Sequence, residues 1–67
     1  MEFSIKSEYI ELCQLLKATG LCDSGGTAKI VINEGLVKVD DAIETRKKCK
    51  IRPGQHVSYN RQNIIVK

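Results

Sequence analysis

The sequence predicts an α+β domain in which two short helices pack on a small, curved, mostly antiparallel sheet. Two observations predict this fold class. Apolar residues recur at helical spacing in the first half of the chain, whereas apolar and polar residues alternate after residue 36, as they do in strands. A third observation limits its size, because 67 residues suffice for one domain only. One Phe, two Tyr and no Trp leave the core to Ile, Leu and Val.

The chain begins with a predicted strand over residues 1–6, where apolar and polar side chains alternate. Ser7 is the predicted N-cap of the first helix, and Glu8 and Glu11 place negative charge in its first turn. Gly20 is the left-handed residue expected to end the helix. The predicted inward face of this helix consists of Leu12, Leu15 and Leu16.

A second helix is predicted shortly afterwards, with Asp23 or Ser24 as its N-cap. Gly25 and Gly26 weaken its first turn, because glycine costs about 1 kcal/mol relative to alanine inside a helix. Gly35 ends it. Its predicted inward face consists of Ala28, Val31 and Ile32. Two short helices joined by a tight turn predict a helical hairpin, whose apolar stripes need another element to pack on.

The second half of the chain predicts that sheet. Residues 37–39 have the alternation of a half-buried strand, residues 40–41 form a turn, and residues 42–45 continue extended with Ile43 pointing inward. Residues 52–55, Arg-Pro-Gly-Gln, are a strong turn signal. The last two strands are expected on either side of a polar turn, so that strand, turn and strand occupy residues 56–59, 60–63 and 64–67.

Positive charge is concentrated in the second half. The net charge of the chain is +3. Residues 1–37 carry three lysines against five acidic residues, whereas residues 38–67 carry eight basic residues against three acidic ones. Five of these eight lie in residues 46–52, Arg-Lys-Lys-Cys-Lys-Ile-Arg, which we call the basic segment. Such asymmetry indicates a polyanionic partner, and RNA is the first choice.

An extended basic segment would divide its side chains between two faces. Lys47, Cys49 and Ile51 would share one face, and the opposite face would carry a stripe of four cations, Arg46, Lys48, Lys50 and Arg52. Lys and Arg neutralise phosphates, and Arg can bridge one phosphate with two donors. The alternative is a solvated edge strand kept basic to prevent aggregation. The charge asymmetry favours RNA binding.

Residues 24–27, Ser-Gly-Gly-Thr, form a second candidate site. The first amides of a helix have no internal partner, and the helix dipole favours an anion there. The alternative is an ordinary serine cap with tolerated glycines, which the motif by itself favours. Tyr9 and Tyr59 could stack on bases, but the pattern favours partly buried core tyrosines. The candidate RNA-binding residues outside the basic segment are Lys17, Ser24, Thr27, Lys29 and Lys38.

No catalytic, metal or cofactor site is predicted, and no small-molecule substrate. His56 has no evident nucleophile or carboxylate partner. The three cysteines, Cys13, Cys22 and Cys49, could join it as zinc ligands, but their spacing lacks a Cys-x-x-Cys pair. Their odd number predicts reduced thiols in a cytoplasmic protein. We see neither a signal peptide nor a stretch long enough to span a membrane.

The order of these features resembles a known RNA-binding fold. Two short helices ending in glycine, then Val-x-Val-Asp and a Pro-Gly turn, are similar to the alpha-L RNA-binding domain of ribosomal protein S-four. The matching residues are Ser24, Ala28, Lys29, Ile32, Gly35, Val37, Val39, Asp40, Pro53, Gly54 and Val57. The resemblance is closer to a small stand-alone bacterial family, the YbcJ-like proteins, and it covers roughly residues 8–59. Its segments are Glu11-Leu12-Cys13, Ser24-Gly25, Ala28-Lys29-Ile30, Glu34-Gly35, Val37-Lys38-Val39-Asp40, Glu44-Thr45-Arg46-Lys47 and Cys49-Lys50-Ile51.

The resemblance implies a bacterial RNA-binding fold without a catalytic site, in which the helical hairpin and the following strand share a basic surface. We therefore expect one domain over residues 1–67, acting as a monomer. It would bind structured RNA, ribosomal RNA being one candidate, through phosphates and shape rather than sequence. The alternative from another class is a small interaction adaptor that docks an acidic protein through its basic strand.

Overall fold

The computed structural model describes all 67 residues. Two helices and seven short strands follow one another along the chain. They are β1 (Glu2–Phe3), β2 (Ile10–Glu11), α1 (Leu12–Ala18), α2 (Gly25–Asn33), β3 (Val37–Val39), β4 (Ala42–Ile43), β5 (Lys50–Ile51), β6 (His56–Tyr59) and β7 (Gln62–Val66).

The strands form two sheets. The larger has the order β1-β7-β6-β3-β4, and only its β1–β7 pair is parallel. The smaller consists of the antiparallel pair β2 and β5, in which Ile10 lies opposite Ile51 and Glu11 opposite Lys50. The predicted α+β class is therefore confirmed, with a helical hairpin and a mostly antiparallel sheet.

The core lies between the hairpin and the inner face of the larger sheet. All fourteen buried residues are apolar, so burial leaves no polar side chain without a partner. The predicted inward residues of both helices belong to this core. Its members are Leu12, Cys13, Leu15, Leu16, Cys22, Ala28, Val31, Ile32, Val37, Val39, Ile51, Val57, Ile64 and Val66.

Two tight hairpin turns hold the larger sheet together. The central residues of both have positive φ angles, 50° and 68° at Asp40 and Asp41 and 51° and 63° at Asn60 and Arg61. These angles are typical of the two-residue turns whose twist matches that of paired strands. The second turn is shorter than the predicted residues 60–63, because β7 already begins at Gln62.

The Asp40 carboxylate ties the first hairpin turn to the predicted turn at residues 52–55. It accepts hydrogen bonds from the Gln55 side chain at 3.0 Å and from the His56 amide at 2.9 Å. These bonds lower the pKa of Asp40, the side-chain bond from Gln55 having the larger effect. Gly54 has a φ of 97°, as the predicted Pro-Gly turn requires. Asp40 is thus a structural residue of the turn.

The predicted start of the first helix is wrong. Helix α1 begins after Glu11, and the Ser7 hydroxyl instead donates to the carbonyl of Tyr9 at 2.8 Å. The reason is that residues 10 and 11 pair with β5, so Glu8 and Glu11 lie outside the helix. The Leu12 and Cys13 amides donate to the carbonyls of Cys49 and Lys47 at 2.9 and 3.1 Å. The basic segment therefore caps α1 with its backbone, in place of a side chain.

The predicted inward orientation of Ile43 is also wrong, since this residue is 62% exposed. In the observed register Ala42 pairs with Val39 and Ile43 pairs with Lys38, which points away from the core. Side chains alternate along a strand, so pairing with Lys38 puts Ile43 on the outer face of the sheet.

Neither helix of the structure combines the length and apolarity that crossing a membrane requires.

Candidate nucleic-acid interface

The basic segment is a turn followed by a short strand, and the predicted continuous extension is wrong for its first half. The Cys49 amide donates to the Arg46 carbonyl at 3.1 Å, which closes a turn at residues 47 and 48. The second half follows the predicted alternation, with Ile51 buried and its neighbours Lys50 and Arg52 exposed. The four cations consequently do not form one straight stripe.

Glu44 fixes the start of this turn. Its carboxylate accepts from the Arg46 side chain through Nε at 2.9 Å and Nη2 at 3.0 Å, and from the Arg46 amide at 3.1 Å. These bonds lower the pKa of Glu44 to about 2, chiefly through the Arg46 side chain. Arg46 is thereby oriented as a planar donor, but part of its charge is already matched within the chain.

Lysines from three elements converge on this turn. A concave pocket with a volume of about 570 Å³ lies between Lys29 of α2 and the turn. Its lining residues are Lys29, Ile30, Asn33, Thr45, Arg46, Lys47 and Lys48. A second concave surface shares Lys29 and Lys48 with the first and adds Lys17 of α1. A third joins Lys48 to Lys50. We call this continuous surface the basic groove, with the cations Lys17, Lys29, Arg46, Lys47, Lys48 and Lys50.

Few acidic groups oppose these cations. The structure contains two ion pairs, Arg46 with Glu44 and Lys67 with Glu2. The five lysines of the basic groove are all exposed, and none of them is in an ion pair. Glu11 is the one acidic residue that lines the groove. The groove therefore has the unneutralised positive charge that an anionic partner requires.

The N-terminus of α2 contributes backbone to the basic groove, and not the side chains of Ser24 and Thr27. The Ser24 hydroxyl accepts from the Thr27 amide at 3.2 Å and also lies 3.2 Å from the Thr27 hydroxyl. Ser24, one of the two predicted candidates, is thus the N-cap, and the Ser24 and Thr27 side chains are both engaged in the cap. Gly25 lines the groove beside Lys17 and Lys29, and a Cβ atom there would meet nothing within 4 Å.

Lys38 does not join the groove. It lies on the outer face of the larger sheet and lines a separate concave surface with Arg61, a residue absent from the predicted site. This surface shares no residue with the basic groove. The expectation that the helical hairpin and the following strand share one basic surface is therefore not met at Lys38. The reason is that Lys38 alternates with two buried valines, which turns it away from the hairpin.

Tyr9 is the aromatic residue beside the basic segment, and the favoured prediction of a core tyrosine is wrong for it. Its side chain is 37% exposed. The Lys50 ammonium lies 4.9 Å from the ring centroid and the Arg52 guanidinium carbon 5.9 Å from it, both within cation–π range. Tyr59, by contrast, packs against the core as predicted.

Three uncharged polar residues of the groove were not predicted, namely Gln14, Asn33 and Thr45. Helical spacing could have identified the first two, because Gln14 lies three residues before Lys17 and Asn33 four residues after Lys29.

The three cysteines are free thiols, and no cluster of residues suited to metal binding is present. Burial raises the pKa of the Cys22 and Cys49 thiols.

Comparisons with known proteins extend this description. The chain is 54% identical over 61 residues to the "Putative RNA-binding protein YbcJ" of Escherichia coli (strain K12), and the match spans 91% of this chain and 87% of that protein. It is equally similar to the uncharacterized protein YbcJ of Shigella flexneri. The solution structure of Escherichia coli YbcJ, described as revealing an alpha-L motif involved in RNA binding, superposes with a TM-score of 0.75. That match has 53% identity and covers 97% of this chain and 84% of the other.

The predicted resemblance to the YbcJ-like proteins and the alpha-L motif is thus confirmed. The S4 domain family model also matches residues 3–67, nearly the whole chain. The match includes both helices, the larger sheet except Glu2, and all cations of the basic groove. On this evidence the chain belongs to the S4 domain family.

Proposed function

We propose that this protein binds structured RNA through the basic groove, without catalysing a reaction. One observation carries the proposal: lysines from α1, α2 and the turn before β5 line one continuous surface and have no acidic partner. The name of the Escherichia coli relative and the description of its solved structure support RNA as the partner. Ribosomal RNA is one candidate.

The proposed contacts are with phosphates. Lysines act as point charges that release counterions from the RNA, so affinity falls steeply with salt. Arg46, held in plane by Glu44, offers its remaining donor directions to a phosphate. Sequence selectivity by this surface would be weak, since phosphate contacts position a protein without reading bases.

The absence of catalysis is part of the proposal. Glu11, the one acidic residue that lines the groove, forms no hydrogen bond with a nucleophile, and the neighbouring Glu44 carboxylate is held by Arg46. The groove is complete within one chain, which supports a monomer as the binding unit. Three free thiols fit a reducing compartment, so we propose the cytoplasm as the site of action.

Titration of a labelled RNA hairpin at several KCl concentrations tests the proposal. The variant Lys48→Glu is compared with Lys6→Glu, which changes the net charge equally at an exposed position outside the groove. We expect Lys48→Glu to weaken binding about tenfold or more and to flatten the salt dependence, because it removes a phosphate contact. We expect Lys6→Glu to change affinity less than about threefold. Equal losses in both variants, or affinity that ignores salt, would contradict the proposal.

An acidic protein is the second candidate partner. Ile30 favours it, because this apolar side chain lines the groove and is 59% exposed. Recovery of the tagged protein from cells before and after nuclease treatment separates the candidates. Recovery of RNA that is lost on nuclease treatment supports RNA, whereas nuclease-resistant recovery of one acidic protein, abolished by Ile30→Ser, supports the adaptor.

A further inference from the structure

One aromatic ring lies at the end of the basic groove. In the small sheet Glu11 pairs with Lys50 and Ile10 with Ile51, so Tyr9 directly precedes β2 and Arg52 directly follows β5. Ile51 is fully buried, and alternation therefore sends Lys50 and Arg52 to the opposite face. Tyr9 shares that face, since both cations lie within 6 Å of its ring. The groove thus ends in an exposed ring with two cations positioned over it.

In a protein that binds RNA, an aromatic ring and neighbouring cations can together bind a nucleotide. A base offers a π-face that an aromatic ring can cover, and the phosphates on either side of that base need cations. Tyr9 supplies the first group and Lys50 and Arg52 supply the second. Lys50 also lines the groove beside Lys48, so one RNA chain could follow the lysines and reach the ring.

The kind of base follows from the geometry of RNA. Bases inside a duplex are covered on both faces by their neighbours, whereas an unpaired base in a loop, a bulge or a strand end can be splayed out with a face free for stacking. A ring on the protein surface cannot enter a stacked helix without paying for unstacking. Tyr9 is therefore suited to an unpaired nucleotide beside a helix whose phosphates occupy the groove.

We propose that Tyr9 is a base-stacking site, flanked by Lys50 and Arg52, for an unpaired nucleotide adjoining an RNA helix. This inference rests on the proposed function and adds the class of RNA that the groove selects. The competing explanation is structural: the ring covers the aliphatic stems of the two cations and stabilises the pairing of β2 with β5. The two explanations predict different effects of a Tyr9 substitution on the affinity for looped and duplex RNA.

The experiment uses two labelled RNAs with the same stem, one closed by an unpaired loop and one a blunt duplex. Tyr9→Leu removes the stacking surface, and Tyr9→Phe is the matched control that keeps the ring. We expect Tyr9→Leu to weaken binding to the hairpin by about 5- to 100-fold and to leave duplex binding within about twofold. Tyr9→Phe should bind both RNAs as the parent protein does. Equal effects of Tyr9→Leu on the two RNAs, or none on either, would overturn the inference.

Two further measurements keep the result interpretable. Lys48→Glu should weaken binding to both RNAs: if it weakens neither, the proposed function fails, whereas if only Tyr9→Leu lacks its effect, this inference alone fails. The chain contains no Trp, so Tyr9→Trp introduces a single fluorophore at the site. Its emission should be quenched by the hairpin and not by the duplex. The partly buried Tyr59→Trp is the control, and quenching of the two tryptophans to the same extent would count against stacking at Tyr9.

Discussion

Arg61 occupies a backbone conformation that its side chain disfavours. Its φ angle is 63°, in the second central position of the turn between β6 and β7. For residues with a Cβ the left-handed region costs about 1–2 kcal/mol, and this turn position is usually glycine. Asp41 occupies the same position of the other hairpin turn, with a φ of 68°. Asp tolerates this region better than Arg, so the strain is greater at Arg61.

We predict that Arg61→Gly increases the free energy of unfolding by about 0.5–1 kcal/mol. Glycine relieves the left-handed strain, and its greater freedom in the unfolded chain cancels part of the gain. Thermal unfolding followed by circular dichroism measures the change, which corresponds to a melting temperature higher by roughly 2–8 °C. Arg61→Gln is the control, because it removes the charge but keeps the strain. Stabilisation by both variants alike would show that charge, and not backbone conformation, is responsible.

The segment between β4 and β5 shows how one acidic residue organises an element. Glu44 continues the β3–β4 pairing through its amide, which donates to the Val37 carbonyl at 3.0 Å, while its carboxylate holds Arg46. The carbonyls of Lys47 and Cys49 then cap α1. A segment that the sequence identifies by its charge is thus also the support of a helix.

This arrangement predicts a pH dependence. The pKa of Glu44 is lowered to about 2 in the folded protein, below the ordinary carboxyl value of about 4.3 in the unfolded chain. Its stabilising effect is therefore present above about pH 4.5 and is lost as the pH falls toward 2. We expect Glu44→Gln to lower the free energy of unfolding by about 1 kcal/mol at pH 7 and to have little effect near pH 2.

Urea unfolding at a series of pH values measures this difference. Glu34→Gln is the matched control, because Glu34 is exposed and forms no ion pair. Its effect should stay within about 0.5 kcal/mol at every pH. If Glu44→Gln and the parent protein lost stability in parallel between pH 4.5 and 2, the Arg46 contact would not be the cause.

At the scale of the whole molecule, the features that the sequence predicts correctly are those encoded by residues close together in the chain. Leu12, Leu15 and Leu16 specify a helix face at helical spacing, and Gly35 and the Pro-Gly turn specify their own backbone angles. The wrong predictions depend on partners far along the chain. Pairing of residues 10–11 with residues 50–51 delays the first helix, and the register of β4 on β3 turns Ile43 outward. Local patterns carry no information about either contact.

The convergence of charge has the same origin. The sequence identifies most of the cations, but their grouping requires the fold, which brings Lys17 and Lys29 to Lys48 and leaves Lys38 on another face. Ile51 joins the two sheets. It comes from the small sheet, yet it is fully buried in the same cluster as both helices and the inner face of the larger sheet. The groove and the core therefore share the strand β5.

We predict that the two sheets unfold as one unit and that Ile51→Val reveals this. Removing one buried methylene costs about 0.5–1.5 kcal/mol, and in a domain of this size each 1 kcal/mol lowers the melting temperature by about 4–8 °C. Far-ultraviolet circular dichroism and tyrosine fluorescence should shift together, because Tyr9 adjoins the small sheet and Tyr59 belongs to the larger. Ile43→Val, at a 62% exposed position of the larger sheet, is the control and should change stability by less than about 0.5 kcal/mol.

If Ile51→Val shifted the fluorescence transition and left the circular dichroism transition in place, the small sheet would unfold by itself. The basic groove would then lose its strand, and its contact with the N-terminus of α1, before the core melts.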